Sequence, residues 1–471
     1  MPDFDIAVIG AGAAGLSVAA GAAQLGASVA LIERGAMGGD CLNTGCVPSK
    51  ALLAASRALR QVRAVERLGI RGPSDARADW ASVRAHVQGV VAAIAPMDSE
   101  ARYRALGVSV IRGEARFIDP ESILVAGRRI TARRFVIATG SRPVVPDVPG
   151  LDQISYWTHE TLFDLPERPD HLLILGGGPI GLEMADAFNG LGCRVTLVEA
   201  GRILPREDPE LAVGLRMMLA ARGTVIREST AVAAVASGPT LVLTDGSQIA
   251  GSHLLVAAGR RPDIAALAAE MGQIRVSPAG IVTDRGLRSL SNRRVFAAGD
   301  CANPESLGPR GFTHVAGYHA GIVLRRMLFR LPVRLNYAAL PRVTYTDPEL
   351  AQVGLTEDEA REAGLKPRVL RWPMADNDRA VAERDSAGLV KVVVSGQRVV
   401  GAGILAPHAG EMISQWTLAI SQKTRLSALA GLIVPYPTRA EAGRRAAGSA
   451  FASTLFSSRV KALVRLLSHL P

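Results

Sequence analysis

Cysteine is scarce in this sequence: its 471 residues include only Cys41, Cys46, Cys193 and Cys301. That is too few for a secreted scaffold stapled by disulfides, so the expectation is a reducing cytosol, one catalytic pair and two buried small residues. No continuous apolar run reaches the roughly 18 residues that a membrane span needs. The N-terminus lacks the basic start of a secretion signal, because Asp3 and Asp5 come first. A soluble cytoplasmic protein is therefore expected. Nor do the 54 basic residues, set against 43 acidic ones, gather into a nucleic-acid recognition motif. The net charge of +11 reads as solubility and attraction for anionic nucleotides, with no nucleic-acid partner. Apolar content, by contrast, is ample at 48%. A chain of this length and composition is expected to form about three domains.

The segment Gly38-Gly39-Asp40-Cys41-Leu42-Asn43-Thr44-Gly45-Cys46-Val47-Pro48-Ser49-Lys50 organises the rest. On an ideal helix, Cα atoms five positions apart are roughly 8.7 Å from each other, and a disulfide tolerates only about 7 Å. If Cys41 and Cys46 pair, the helix must be distorted between them. Gly45 can supply that distortion, and Pro48 suits a helix start. A structural bridge more often joins distant segments, since a short loop gives little entropic gain. Two readings follow: a redox disulfide beside a bound cofactor, or two free buried thiols.

Ile6-Ala7-Val8-Ile9 reads as a buried strand that runs into Gly10-Ala11-Gly12-Ala13-Ala14-Gly15 and an alanine-rich helix. Gly10 permits the turn, Gly12 lets a pyrophosphate approach the backbone, and Gly15 lets helix pack on strand. The next strand ends at Glu33, whose carboxylate can bind a ribose diol. The stretch from Lys50 to about Leu106 is expected to be mostly helical packing, with Leu52, Leu53, Leu59, Val62 and Val65 at helical spacing. Strand ends around Ala115 and at Thr139-Gly140-Ser141 are expected to return to the first cofactor. Pro143, Pro146 and Pro149 mark a crossover to a second unit, where Leu172 to Leu175 leads into Gly176-Gly177-Gly178-Pro179-Ile180-Gly181 and a later strand ends at Glu199. Gly10 to Glu33 and Gly176 to Glu199 span the same 23 positions. Two such units imply two dinucleotides, a flavin and a nicotinamide. Glu199 favours NADH by repelling a 2′-phosphate, while Arg202 and Arg206 keep NADPH open. Gly259 to Pro262 closes this unit. Asp300, after Val295 to Gly299, is either an ordinary turn carboxylate or a ligand of the flavin's polyol chain.

Together these motifs, with Thr346-Asp347-Pro348-Glu349 and Val353-Gly354-Leu355, resemble those of the flavoprotein disulfide reductases, the class I pyridine nucleotide-disulfide oxidoreductases. The likeness covers nearly the whole chain and is nearest to mercuric reductase-like and dihydrolipoamide dehydrogenase-like members. It implies an α/β chain with two Rossmann-like domains and a C-terminal α+β dimerisation domain. FAD would be held by residues 1–147 and 275–337, NAD(H) or NADP(H) by residues 148–274, and a homodimer formed through residues 338–471. It further implies that Cys41 exchanges with substrate, that Cys46 lies against the flavin, and that Lys50 pairs with Glu183 near it. FAD would be bound by Gly10, Gly12, Gly15, Glu33, Gly39, Lys50, Ala115, Thr139, Gly140, Ser141 and Asp300. The nicotinamide nucleotide would be bound by Gly176, Gly178, Gly181, Glu199 and Gly259. No resident metal site is assigned.

The sequence departs from the family at three places. The expected His-Pro-Thr run with a later Glu appears as Tyr436-Pro437-Thr438-Arg439-Ala440-Glu441. Tyrosine, with an unperturbed pKa near 10, is a poor proton acceptor at neutral pH. Mercuric reductase resembles this chain in having tyrosine there, but it carries a C-terminal cysteine pair and this chain ends without one. Pro179 stands where many relatives have an aromatic gate. The resemblance thus implies an NAD(P)H oxidoreductase that passes electrons through the Cys41–Cys46 disulfide to a metal ion or another acceptor with little proton demand. The alternatives are a dihydrolipoamide dehydrogenase or other thiol-disulfide reductase, and a flavoprotein redox sensor without fast turnover. In the tail, Val460, Leu463, Val464 and Leu467 share a helical face beside Arg459, Lys461 and Arg465. That face suits either packing on the dimer, the favoured expectation, or an acidic membrane surface.

Overall fold

A computed structural model describes residues 1–470, which divide into two compact units. The first comprises Met1–Ala55, Ala78–Gly176 and Val232–Asn336; the second comprises Ser56–Arg77, Gly177–Ala231 and the chain from Tyr337 on.

In the first unit, strands Ser109–Arg112, Val29–Glu33, Phe4–Ile9, Arg128–Ile137 and Val295–Ala297 lie side by side in that order, all parallel. Their short apolar runs, such as Ala7-Val8-Ile9 and Val136-Ile137, are buried, as a parallel sheet covered on both faces requires. Helix Ala13–Gln24 follows the first strand and packs on helix Thr313–Leu328, where a side chain at Gly21 would run into Leu324. An antiparallel ribbon of Ala115–Asp119 and Ser122–Val125 extends the long strand Arg128–Ile137. Strand His171–Leu175 pairs in parallel with His253–Val256, and three short antiparallel strands between Val232 and Ala250 complete the unit. The stretch after Lys50 is largely helical as expected, with helices Cys46–Arg63, Trp80–Ile94 and Glu100–Ala105. Cys193, in the second unit, and Cys301, in the first, are buried, and burial pushes the Cys301 thiol up to about 11.

The second unit contains helix Pro179–Gly190, the parallel pair Arg194–Val198 and Val225–Arg227, and a five-stranded antiparallel sheet. The order of that sheet is Pro341–Thr344, Glu349–Gly354, Arg398–Ala406, Leu389–Ser395, Arg368–Pro373. Its apolar face, including Val390, Val392 and Ile404, packs with Trp416 of helix Ala409–Ser421 and the alanine stripe Ala442, Ala446, Ala450 of helix Glu441–Leu455.

Lys391 is the notable exception in that sheet, because its side chain is only 5% exposed. Its ammonium lies 2.8 Å from Asp208, 2.9 Å from Glu210 and 3.2 Å from Glu357. Burial disfavours the charged amine, but the hydrogen bonds to Asp208 and Glu210 outweigh this and raise its pKa. Asp208 also caps helix Pro209–Ala221, accepting from Glu210 N at 3.0 Å. Removing one partner of a buried ion pair leaves uncompensated charge, at a cost of about 3–5 kcal/mol. Lys391→Met is therefore expected to lower the unfolding midpoint in urea markedly, whereas the exposed Lys366→Met should leave it within error. Equal midpoints for the two variants would contradict the assignment.

Candidate functional site

The two cysteines flank a broken helix. Helix Gly39–Asn43 carries Cys41 and ends at Thr44, and helix Cys46–Arg63 begins at the second cysteine. Gly45 sits so close over the preceding turn that a Cβ there would be 2.9 Å from the Asp40 carbonyl oxygen and 3.4 Å from the Cys41 Cα. The absence of a side chain is what lets the chain fold back. Asn43 ties the loop, its Nδ2 donating to the Met37 and Gly39 carbonyls at 3.0 and 2.8 Å.

Cys41 and Cys46 are free thiols hydrogen-bonded to each other. Cys46 Sγ also lies 3.3 Å from Thr313 Oγ1. The hydrogen bond from Cys46 and burial, with smaller contributions from the charges of Cys46 and, last, Asp40, outweigh the lowering hydrogen bond of Thr313 and push the Cys41 thiol far above its ordinary value. Cys46 opens a helix with Lys50 one turn on, so the helix N-terminus and a cation both attract negative charge to it. The pair is thus electrically asymmetric, with the proton on Cys41 and negative charge favoured at Cys46.

A polar network that the sequence did not announce surrounds Asp40. Its carboxylate accepts from Thr44 Oγ1 at 2.6 Å, is 2.7 Å from Arg260 Nη2, and lies 3.3 Å from Nε2 of the buried His159. Burial works against the charge on Asp40, but the His159 hydrogen bond and the Arg260 guanidinium outweigh it and hold the carboxyl well below the usual range. Arg260 Nε donates onward to Ser141 Oγ at 2.8 Å, and Ser141 Oγ donates to Asp300 at 2.6 Å. The residue beside Cys41 is thereby linked through Arg260 to two of the residues expected at the flavin, Ser141 and Asp300. Asp40 was visible inside the cysteine segment and Arg260 beside Gly259, but nothing in the sequence pointed to His159 or Thr313.

The dinucleotide cradles can be tested for fit. At the first, Gly39 has φ +59° and a Cβ on it would lie 2.7 Å from the Gly12 Cα, so two bare backbones face each other. Helix Ala13–Gln24 starts at Gly12 with no side-chain cap, which leaves its first amides for an anion. Glu33 accepts from Ala11 N and Gly35 N, both at 2.6 Å, and a carboxylate has about four acceptor positions, so two remain for a ribose diol. The second cradle repeats this. Helix Pro179–Gly190 starts at Gly178 uncapped by a side chain, and Glu199 accepts from Gly177 N at 2.6 Å and Gly201 N at 2.8 Å. Gly181 is buried in that helix. Gly10 and Gly176 hold the same positive φ conformation, +103° and +117°, each against a carbonyl, of Ala138 and Ala257 respectively. Both sets of residues fit a dinucleotide. Ala115 is buried in its strand, and Thr139, Gly140 and Gly259 lie at strand ends.

In the second unit, Glu183 is buried and accepts from Tyr345 N at 3.0 Å. Tyr436 is 68% exposed and its hydroxyl donates to Asp378 at 2.9 Å. That hydrogen bond, with the Asp378 charge, raises its pKa above the ordinary tyrosine value. Glu441 is buried and accepts from Arg444 and Arg445 at 3.1 and 3.0 Å.

Comparison with known proteins places these features in context. Residues 4–322 match the pyridine nucleotide-disulphide oxidoreductase family, and residues 340–447 match its dimerisation domain. A mercuric reductase of Streptomyces lividans is 37% identical over 94% of this chain and 95% of its own length. A dihydrolipoyl dehydrogenase of Thermus scotoductus is 34% identical over 94% and 96%. Among solved structures, the Cu(II) complex of the HOCl-induced flavoprotein disulfide reductase RclA from Escherichia coli superposes with TM-score 0.84 at 29% identity, covering 93% of this chain and 98% of that one.

The charge of Asp40 opposes ionisation of Cys41, and its loss would also free the Arg260 cation to act on the sulfur. Asp40→Asn is therefore expected to lower the pH at which the reduced protein's Cys41 becomes reactive towards iodoacetamide. A pH profile of alkylation that does not move would remove the electrostatic link.

Proposed function

Because the chain belongs to the pyridine nucleotide-disulphide oxidoreductase family, we propose that it takes electrons from NADH through Cys41 and Cys46 to a soft metal ion or another acceptor with little proton demand. It is a flavoprotein oxidoreductase using FAD and a pyridine nucleotide, and it carries the family's dimerisation domain. The acceptor, the homodimer, a cytoplasmic setting and the residue roles belong to the proposal. Residues 1–147 and 275–337 would hold FAD, 148–274 the nicotinamide nucleotide, and 338–471 the subunit interface.

Bound flavin supplies a two-electron relay between nicotinamide and sulfur. The chain's own residues do the rest. Gly12 and Gly39 would leave backbone room for the pyrophosphate, Glu33 and Asp300 would take up hydroxyls of the ribose and the polyol chain, and Lys50 and Glu183 are the charged residues assigned to the flavin by the family resemblance. Gly178 and Glu199 serve the second nucleotide in the same way. Cys46 would hold negative charge at its helix start, and Cys41, whose proton a soft metal ion displaces to solvent on binding, would be the sulfur offered to the acceptor.

The observation that carries the choice of acceptor is Tyr436. Its hydroxyl is committed to Asp378 and its pKa is raised, so no proton acceptor stands where a thiol-disulfide exchanger places its base. A metal ion held by two thiolates needs no such base when it is reduced. Mercuric reductases among the relatives, and an RclA structure solved as a Cu(II) complex, support this reading. The dihydrolipoyl dehydrogenase relative sustains the second reading, a lipoamide-type disulfide substrate. A redox sensor is the third.

With FAD-loaded protein under anaerobic conditions, NADH oxidation is expected to depend on added Hg(II) in excess thiol, and to vanish in Cys41→Ser and in Cys46→Ser. Lipoamide reduction faster than metal reduction would overturn the proposal, and the absence of turnover with every acceptor would favour the sensor. Tyr436→His should raise lipoamide reduction by one to two orders of magnitude, since a positioned base contributes roughly 10²–10⁴-fold. An unchanged lipoamide rate would dissociate this position from the exchange chemistry.

A further inference from the structure

Helix Ser458–Leu467 lies beyond the part of the chain that matches the family's dimerisation domain, which ends at residue 447. It is a self-contained element: the Ser457 hydroxyl caps it by accepting from Val460 N. None of its residues is buried. Val460, Leu463, Val464 and Leu467 recur at i, i+3, i+4 and i+7 and so form one stripe roughly 100° wide at 3.6 residues per turn, with Arg459 and Leu466 along one edge. Leu463, Val464, Leu466 and Leu467 are all more than half exposed, as are Leu455 and Phe456 just before the helix.

Charge identifies what this stripe suits. From residue 442 to the end of the chain there is no acidic residue, while Arg444, Arg445, Arg459, Lys461 and Arg465 are all cationic. Lys461 and Arg465, one turn apart, occupy the side of the helix away from the stripe, and Arg459 flanks it at the start. A second copy of the same helix would bring like charges together with no carboxylate on either to pair them. An anionic bilayer meets both halves at once, taking the apolar stripe at the acyl boundary and the cations among its phosphates. No described helix is long and apolar enough to cross a membrane, so attachment would be to the surface.

We propose that helix Ser458–Leu467 is an interfacial anchor that binds the enzyme reversibly to anionic phospholipid. A short helix with a few apolar side chains attaches weakly, and two copies in a dimer would act together. The attachment is expected to weaken with salt, because part of it is electrostatic.

The FAD-loaded full-length protein is to be sedimented with vesicles of phosphatidylcholine alone and of phosphatidylcholine mixed with phosphatidylglycerol, at low and high salt. The expected result is binding to the mixed vesicles only, reduced by salt. Leu463→Glu with Leu467→Glu, and separately Lys461→Glu with Arg465→Glu, should each lower that partition at least ten-fold while leaving NADH oxidation in solution unchanged. The positions are exposed, so neither pair should disturb folding. Absence of binding to the mixed vesicles, or equal binding to both kinds, would overturn the proposal. So would conversion of the Leu463/Leu467 variant from dimer to monomer on gel filtration without vesicles, which would show that a second copy covers the stripe.

Discussion

Two sulfur atoms five positions apart cannot meet on an unbroken helix, and the arrangement of the first unit around the cysteines follows from how that constraint is met. The chain stops helix Gly39–Asn43 at Thr44, folds back over Asp40 at a residue with no side chain, and starts again at Cys46. The break has an electrical consequence as well as a geometric one. It turns Cys46 into the first residue of a helix, where negative charge is favoured, while Cys41 remains in a short preceding turn beside the ionised Asp40. One backbone interruption therefore brings the sulfurs together and makes them unequal.

Asp40 would be a poor neighbour for a nucleophilic sulfur if its charge were not balanced. Arg260 supplies the balance, with His159 placed beside the carboxylate, and Arg260 hands the constraint on through Ser141 to Asp300. The segments around Asp40, Ser141, Arg260 and Asp300, distant in sequence, are thus pinned to one another largely by charge-assisted hydrogen bonds, which are shorter and stronger than neutral ones. The network can set both the position of the cysteine turn and the ease with which Cys41 ionises.

What could be read from the sequence, and what could not, divides along the same line. The Gly10–Glu33 and Gly176–Glu199 units were legible because each is a local device. A strand, a bare backbone turn, a helix N-terminus and an acid lie within a few dozen residues, and both carboxylates bind backbone amides in the same way. The helix break at Gly45 was legible for a similar reason, since a redox pair at that spacing demands it. His159 and Thr313 were not, because their meaning depends on partners far along the chain; Cys46 and Thr313, for example, are 267 positions apart. No periodicity or short motif encodes such a meeting. The boundary of the strand carrying Glu33 was placed to within a residue, as hydrophobic pattern allows, whereas the burial of Lys391 among three carboxylates runs against every compositional expectation for lysine.

The C-terminal departure gains weight from the structure because it involves two residues rather than one. In an exchanger the base must be held in orientation by an acid, and the acid must have a free face to hold it. Under the proposed roles Tyr436 would take the base's position and Glu441 the acid's; Tyr436 gives its hydroxyl to Asp378, and Glu441 accepts from Arg444 and Arg445. Loss of the histidine alone would leave an orienting carboxylate behind with nothing to orient. Instead both positions are tied to other partners, and Asp378 keeps the tyrosine hydroxyl more firmly protonated, so that little phenolate is present at neutral pH. If these residues face the sulfurs as proposed, their arrangement suits an acceptor that leaves without needing a proton.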